Sequence, residues 1–293
     1  MRRGLWIALL CLLPSGLRAF AAGADFLRAE IPARPAALSG AFAAFTDDVS
    51  AFLWNPAALA FSKDPWLGAT HFSSVLDTSF DQATYVQPLK IKKLSAGLGF
   101  CVQHSATSDL NETDLNGNNK GAIENGDWVL SGAGALRFGR GLSAGFALKG
   151  FYSVLSQYRS RGFAADLGLL SVVNPRLSFG LSLVDFGVAE AYDTNPDPLP
   201  SLLRMAVKGV LLDSGEVQLN LAAELDRPLL PSDPIYANGG LEYWYARKVA
   251  FRAGYRLGAD LGGFSMGTGF RWRGLEFDYA YTAFGDLGLA HRF

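Results

Sequence analysis

The sequence is short of cysteine, histidine, methionine and charge. Its 293 residues include 2 Cys, 3 His and 3 Met, and only 18% are Asp, Glu, Lys or Arg. Two cysteines cannot build a disulfide scaffold. The histidines, His71, His104 and His291, are far apart with no ligand-like spacing. No metal centre or histidine-based catalytic site is therefore expected, and each reads as a strand or interface residue. A net charge of −1 offers no basic excess for nucleic acid. Past the N-terminus there is no run of about 18 apolar residues to make a membrane helix. Yet 49% of the chain is hydrophobic and 33 residues are glycine, which excludes a disordered chain. That apolar surface needs another destination.

The N-terminus reads as an export address. Arg2 and Arg3 precede the apolar run Gly4 to Leu13, Pro14-Ser15-Gly16 breaks it, and A-x-A sites follow at Ala19-Phe20-Ala21 and Ala22-Gly23-Ala24. Charge, short apolar core and small-residue exit are the parts of a signal peptide. Its expected span is 1–21, and its removal leaves Cys101 as the only cysteine.

From about Pro65 the pattern alternates with period two, which sends successive side chains to opposite faces of a strand. Val217, Leu219, Leu221, Ala223 and Leu225 share one face, against Gln218, Asn220, Ala222, Glu224 and Asp226. Phe264, Met266, Thr268, Phe270 and Trp272 oppose Ser265, Gly267, Gly269 and Arg271. Breaks such as Gly139-Arg140-Gly141, Asn174-Pro175 and Arg273-Gly274 divide the chain into about 14 strands. Polar stretches at 105–126 and 187–200 read as loops. The non-apolar face carries Gly, Ser and Ala rather than Lys and Glu. A crowded interior explains that better than a solvated sandwich surface does, and the expected fold is all-β: a transmembrane antiparallel barrel. Trp66, Trp128, Trp244, Trp272, Tyr279 and Tyr281 lie near strand ends, where interface girdles would place them. The chain stops on Phe293, with Leu287 and Leu289 on the same face, the pattern that outer-membrane assembly machinery reads in many barrels.

Between the export segment and the first strand lies a stretch without period. Its residues Leu38-Ser39-Gly40-Ala41-Phe42, Asp47-Asp48 and Trp54-Asn55-Pro56-Ala57-Ala58-Leu59 resemble the N-terminal signature of the PorV/PorQ family of outer-membrane proteins. Asn55-Pro56-Ala57 is also similar to the hatch motif of the related FadL-type transporters. The end of the chain, Phe277-Asp278-Tyr279-Ala280-Tyr281 through His291-Arg292-Phe293, is similar to the last hairpin of PorV-like proteins. Departures are Ser39 and Ala58, each in place of Gly, and the second puts the local hatch turn in question. The resemblance implies a 14-stranded barrel, 63–293, with an N-terminal plug at 22–62 that includes Asp47, Asp48, Trp54, Asn55, Pro56 and Ala57. It implies passage of hydrophobic molecules in FadL relatives, and in PorV-like proteins a partnership with type IX secretion and its cargo C-terminal domains.

Strand-by-strand alternation sends charges inward on the last seven strands, in blocks that change sign: Arg204 and Lys208, then Glu224, Asp226 and Glu242, then Arg252, Arg256 and Arg271, then Glu276 and Asp278, then Arg292. Adjacent strands lie about 4.8 Å apart, so opposite charges at matched heights can pair. The expectation is an ion-pair lattice that stiffens this half and anchors the plug. Phe45, Phe52 and Trp54 suit a lipid-like ligand, and suit plug packing better.

Other motifs carry little. Gly263-Phe264-Ser265-Met266-Gly267 matches G-x-S-x-G, but a strand follows where a nucleophile elbow needs a helix. Asp114-Leu115-Asn116-Gly117-Asn118-Asn119 begins like a calcium loop, but the Gly is shifted and Asn125 stands where the bidentate Glu belongs. No cofactor is expected, and the chain reads as non-enzymatic. Expected partners are outer-membrane lipid, the barrel assembly machinery, and either secreted cargo or a hydrophobic ligand, with no nucleic acid. Three functions stay open: a secretion-associated or transport barrel, a FadL-like carrier, and a structural barrel without cargo.

Overall fold

The computed structural model describes residues 24–74, 77–108, 110–114, 116–191, 198–230, 233–258, 263–284 and 288–293. The expected export segment and Leu287 lie outside them. Before the first strand come two short helices, α1 (Ala33–Ala37) and α2 (Ala51–Trp54), with 3-10 turns at Asp25–Arg28 and Pro56–Phe61. The strands are β1 (Trp66–Ser73), β2 (Thr78–Ile91), β3 (Leu94–Thr107), β4 (Asn111–Thr113), β5 (Asn119–Ala122), β6 (Asn125–Phe138), β7 (Leu142–Leu155) and β8 (Tyr158–Asn174), followed by β9 (Leu177–Ala189), β10 (Leu202–Asp213), β11 (Val217–Pro228), β12 (Tyr236–Tyr245), β13 (Val249–Leu257), β14 (Phe264–Trp272), β15 (Leu275–Ala283) and β16 (Leu289–Arg292). All except β4 and β5 close into one barrel of fourteen strands, in which every neighbour is antiparallel and β1 meets β16.

Alternation decides which face each residue takes. In β11, Asn220, Ala222, Glu224 and Asp226 are buried while Leu221, Ala223 and Leu225 are exposed. Polar and small residues point in, and large apolar ones point out. Tight turns close the barrel at the end where β1 begins. Ala246 and Arg247 both adopt positive φ, 48° and 53°, between β12 and β13, as a primed hairpin turn requires. The opposite end carries the longer connections. There β4 and β5 pair as a small hairpin inside the stretch expected to be loop. Its residues are too few and too polar to show a period.

One irregularity marks the wall. Between β8 and β9 the register shifts at Ala165/Leu167, and Asp185 takes φ 58°, so a bulge turns Asp185 inward. The last strand, β16, is only four residues long. β16 pairs with β1 only at Phe72–Arg292 and Ser73–His291, plus a backbone pair between His71 and Phe293. Below that rung, toward the tight-turn end, residues 66–70 of β1 face residues 275–278 of β15 with no strand between them.

The residues before β1 fill the barrel. Phe42, Phe45, Trp54 and Ala57 form a buried cluster with Leu170, Ala206 and Ala222 of the wall. Phe52 and Leu59 pack on Val86, Cys101, Ala133 and Ala147.

Candidate functional site

Glycines make room for this plug. A Cβ at Gly97 would strike the Leu59 carbonyl, one at Gly180 the Ala43 carbonyl, and one at Gly168 the Asn55 side chain. Wall serines then capture plug carbonyls: Ser143 Oγ donates to Ala57 O at 2.9 Å, Ser178 Oγ to Ala44 O at 2.8 Å and Ser182 Oγ to Trp54 O at 2.8 Å. Each bond satisfies a backbone acceptor that the irregular plug leaves free.

The turn placed in question by Ala58 forms with Ala in place. Asn55 accepts from Ala57 N at 3.1 Å, and its amide donates to Ala43 O and Leu169 O, both at 3.0 Å. Pro56 sits at the first position of the 3-10 turn, where its missing N–H is not needed. The other departure, Ser39, adopts φ 50° and ties its hydroxyl to Ser265 at 2.8 Å. Ser265 lies within β14, so the G-x-S-x-G match has no elbow.

At the centre is Arg34 of α1, 1% exposed. Its Nε and Nη2 donate to both oxygens of Glu242, at 2.8 and 3.0 Å. It also reaches Asp47 O at 2.9 Å, Asp47 Oδ2 at 3.1 Å and Asp48 Oδ2 at 3.4 Å. A bidentate, buried guanidinium–carboxylate pair with further partners is the strong form of such contacts. Glu242 also accepts from Arg252 Nε at 2.8 Å and Asn220 at 2.9 Å. Arg252 continues to Asp278 at 2.6 Å. Arg271 pairs with Glu276 at 2.8 Å and lies 4.0 Å from the Trp244 ring centre.

Most of the remaining inward charges of this half also meet the plug. Glu224 Oε2 accepts from the backbone of Phe42 and Ala43, at 2.9 and 2.7 Å. Arg204 lies over Trp54 at 5.3 Å, with Glu224 and Asp226 each 3.9 Å away, and Asn238 donates to Asp226 at 2.8 Å. Lys208 reaches Asp47 at 3.2 Å. Arg256 pairs with Glu30 and donates to Ser39 O at 3.0 Å. Arg292 donates to Glu30 O at 2.7 Å and to Thr282 at 2.8 Å, 3.8 Å from the Phe72 ring centre. Loss of surrounding water pushes the Asp47 carboxyl up, yet Arg34 and Lys208 beside it hold it well below the usual carboxylate range. Phe45, Phe52 and Trp54 are spent on packing, each at most 4% exposed.

Sequence reading missed three groups. Arg34 and Glu30 sit in the plug, which has no period to reveal a facing. Lys149 binds Asp166 at 2.9 Å and Asp185 at 2.7 Å in the other half of the wall. Its signal was present, since alternation aligns Lys149 with Ser143, Gly145 and Ala147. Two aromatic assignments also need correction. Trp244 is 2% exposed and faces inward between Arg252 and Arg271. Trp66 is half-buried against the Phe52 cluster. Their places near strand ends fixed height, not face. Trp128 and Trp272 lie on the outer face, as do Leu289 and Phe293. In the loop, Asp114 accepts from Asn116 N at 2.9 Å, Asn118 N at 2.8 Å and the Asn118 amide at 2.9 Å. The loop's own donors thus satisfy the Asp114 carboxylate.

A cavity of about 530 Å³ lies where β16 stops short. Arg34, Asp48 and Ser50 of the plug form its floor, and Leu67, Leu275, Phe277 and Phe293 of the outer face form its rim. No helix among the described residues is long and apolar enough to cross a membrane.

A closed fourteen-stranded barrel with an N-terminal segment folded into its lumen is a FadL-like architecture. The solved Ralstonia pickettii toluene transporter TbuX is similar over 89% of this chain and 95% of its own, with a TM-score of 0.58 and 14% identity. The Pseudomonas putida toluene transporter TodX is similar over 88% and 94%, with a TM-score of 0.56 and 13% identity. A Pseudomonas aeruginosa FadL homologue gives 89% and 94%, a TM-score of 0.54 and 12% identity. At such identities the likeness is one of fold. The chain itself belongs to UPF0164, an uncharacterised protein family whose profile matches residues 20–180. No curated protein matches it.

Proposed function

We propose that this chain is an outer-membrane channel for small hydrophobic molecules, blocked along its axis by the plug and open to lipid at its side. The cavity at the β1–β15 gap carries this reading. It joins the plug surface, where the paired charges Arg34, Asp48, Glu276 and Asp278 line it, to an apolar rim. A rim of Leu67, Leu275 and Phe277 suits an apolar solute, which partitions from water into such surroundings. The largely apolar outward face of the barrel suits a bilayer. The similar solved proteins include transporters of toluene, which supports the carrier reading over the secretion-associated one. The latter rests on the sequence signature alone.

The test is uptake of labelled toluene by proteoliposomes. Ala69→Trp adds bulk at the slot and is expected to slow uptake severalfold while leaving heat-modifiable gel migration intact. Unchanged uptake would refute the side route. A large steady current in planar bilayers would refute the plugged lumen. Crosslinked secreted proteins bearing C-terminal sorting domains would favour secretion instead.

A further inference from the structure

All three histidines, remote in sequence, come to neighbouring strands on the outer face near the long-loop end. His71 stands across from Asp81, and Asp81 across from His104. His291 stands across from Ser73. Within this group one arrangement has chemical direction. His71 Nδ1 lies 2.8 Å from Asp81 Oδ1, and His71 Nε2 lies 3.1 Å from Ser73 Oγ. The carboxylate accepts only, so Nδ1 carries the proton toward Asp81. That tautomer leaves Nε2 free to accept from the Ser73 hydroxyl. The distances fall within the reach that nucleophile, base and orienting acid require of one another.

Strand geometry explains how so few residues achieve this. His71 and Ser73 are two apart on β1, hence on one face. Asp81 is the cross-strand partner of His71, the closest kind of neighbour a sheet offers. The group is open to its surroundings, with the His71 and Asp81 side chains 50% and 62% exposed.

We infer that Ser73, His71 and Asp81 form a serine-hydrolase triad on the outside of the barrel, acting on acyl esters. Ser73 Oγ attacks the ester carbonyl carbon, and its proton passes to His71 Nε2. The tetrahedral adduct breaks the bond to the leaving alcohol, which takes that proton from His71. Water then attacks the acyl-serine ester, giving a proton to His71. The acyl–Oγ bond breaks, the acid departs, and Ser73 recovers its proton. Asp81 holds the ring and stabilises the imidazolium formed in each half.

Position selects the substrate. The triad sits a few residues from the long-loop end of β1, with Leu67 and Ala69 below it on the same face. Trp128 and Tyr279 lie at similar height on nearby strands, close to His104 and His291. Aromatic side chains at that level mark a membrane interface, where the ester groups of lipids lie above their acyl chains. The substrate class is therefore a glycerolipid ester. That assignment rests on the membrane placement proposed above, whereas the triad does not.

Purified protein in detergent is offered p-nitrophenyl butyrate and vesicles of dioleoyl phosphatidylcholine, and is separately treated with a fluorophosphonate probe. The expected result is release of nitrophenol and oleate, with the probe on the Ser73 peptide. Ser73→Ala should abolish labelling and cut hydrolysis at least about a hundredfold, the scale of a lost catalytic member. His71→Gln should abolish labelling although the serine remains. The substitutions are on the exposed outer face, and heat-modifiable migration checks that each variant is folded. Absence of both labelling and hydrolysis in the unaltered protein overturns the triad. So does labelling elsewhere, or full hydrolysis by Ser73→Ala. Cleavage of the soluble ester alone overturns the lipid substrate. Toluene uptake by Ser73→Ala stays normal if the channel is right, so the two readings fail separately.

Discussion

Arg34 holds the plug by charge, and its removal tests how much the lattice matters. Arg34→Met leaves Asp47 without its guanidinium and Glu242 with Arg252 as its cation. Breaking a buried pair in this way costs about 3–5 kcal/mol. Hydrogen exchange at residues 40–48 is expected to accelerate sharply while the strands stay protected. A second prediction concerns pH. The ordinary value of Asp47 is 3.8 and its folded value is held lower. Its stabilising contribution is therefore complete above about pH 5 and fades as pH falls through 4 and below. Asp47 is about half exposed on its side chain, so salt weakens the effect. Plug exchange in Asp47→Asn should lose that acid dependence and resemble the wild type at low pH. At this scale the sequence was legible on the wall and opaque in the plug. Glu242 and Arg252 could be assigned inward because a period of two leaves one choice. Arg34 sits among Ala and Pro with no repeating face, and only its partner across 208 positions explains it.

The strands are the part alternation reads best, because each buries one face and exposes the other. Their interruptions are harder to read. The bulge that turns Asp185 toward Lys149 adds a residue with no sequence mark of its own, and the β4–β5 hairpin is too polar to show a pattern. The glycines gain a definite meaning at this scale. They track where the plug backbone touches the wall, as at Gly97 and Gly180. Gly180→Val should therefore push Ala43 from its seat and loosen the plug without opening the barrel. The measurement is conductance in planar bilayers, expected to rise from near zero to intermittent openings. A silent variant with normal plug exchange would refute the cradle. Gly209, whose Cβ would meet nothing within 4 Å, supplies the control through Gly209→Val.

For the molecule as a whole, the shortage of charge and the lack of a membrane helix among the described residues have one cause: the apolar residues are dispersed singly over the outside of a ring. The ring is uneven. β7 and β8 share fourteen paired rungs, and β1 and β16 share two. Amide exchange at 71–73 and 290–293 is expected to be the fastest of the paired wall and that of β7 and β8 the slowest; equal rates would contradict the short seam. The seam also has consequences in time. It joins Phe72 to Arg292, almost the full length of the barrel sequence, so closure bears a long-loop entropy and is repaid by few bonds. The ring cannot shut until β16 has been made. Every other strand pair forms between near neighbours in sequence or across a single loop. Assembly should thus run as a growing sheet that waits for β16, with closure as the slow step and the first to reverse under load.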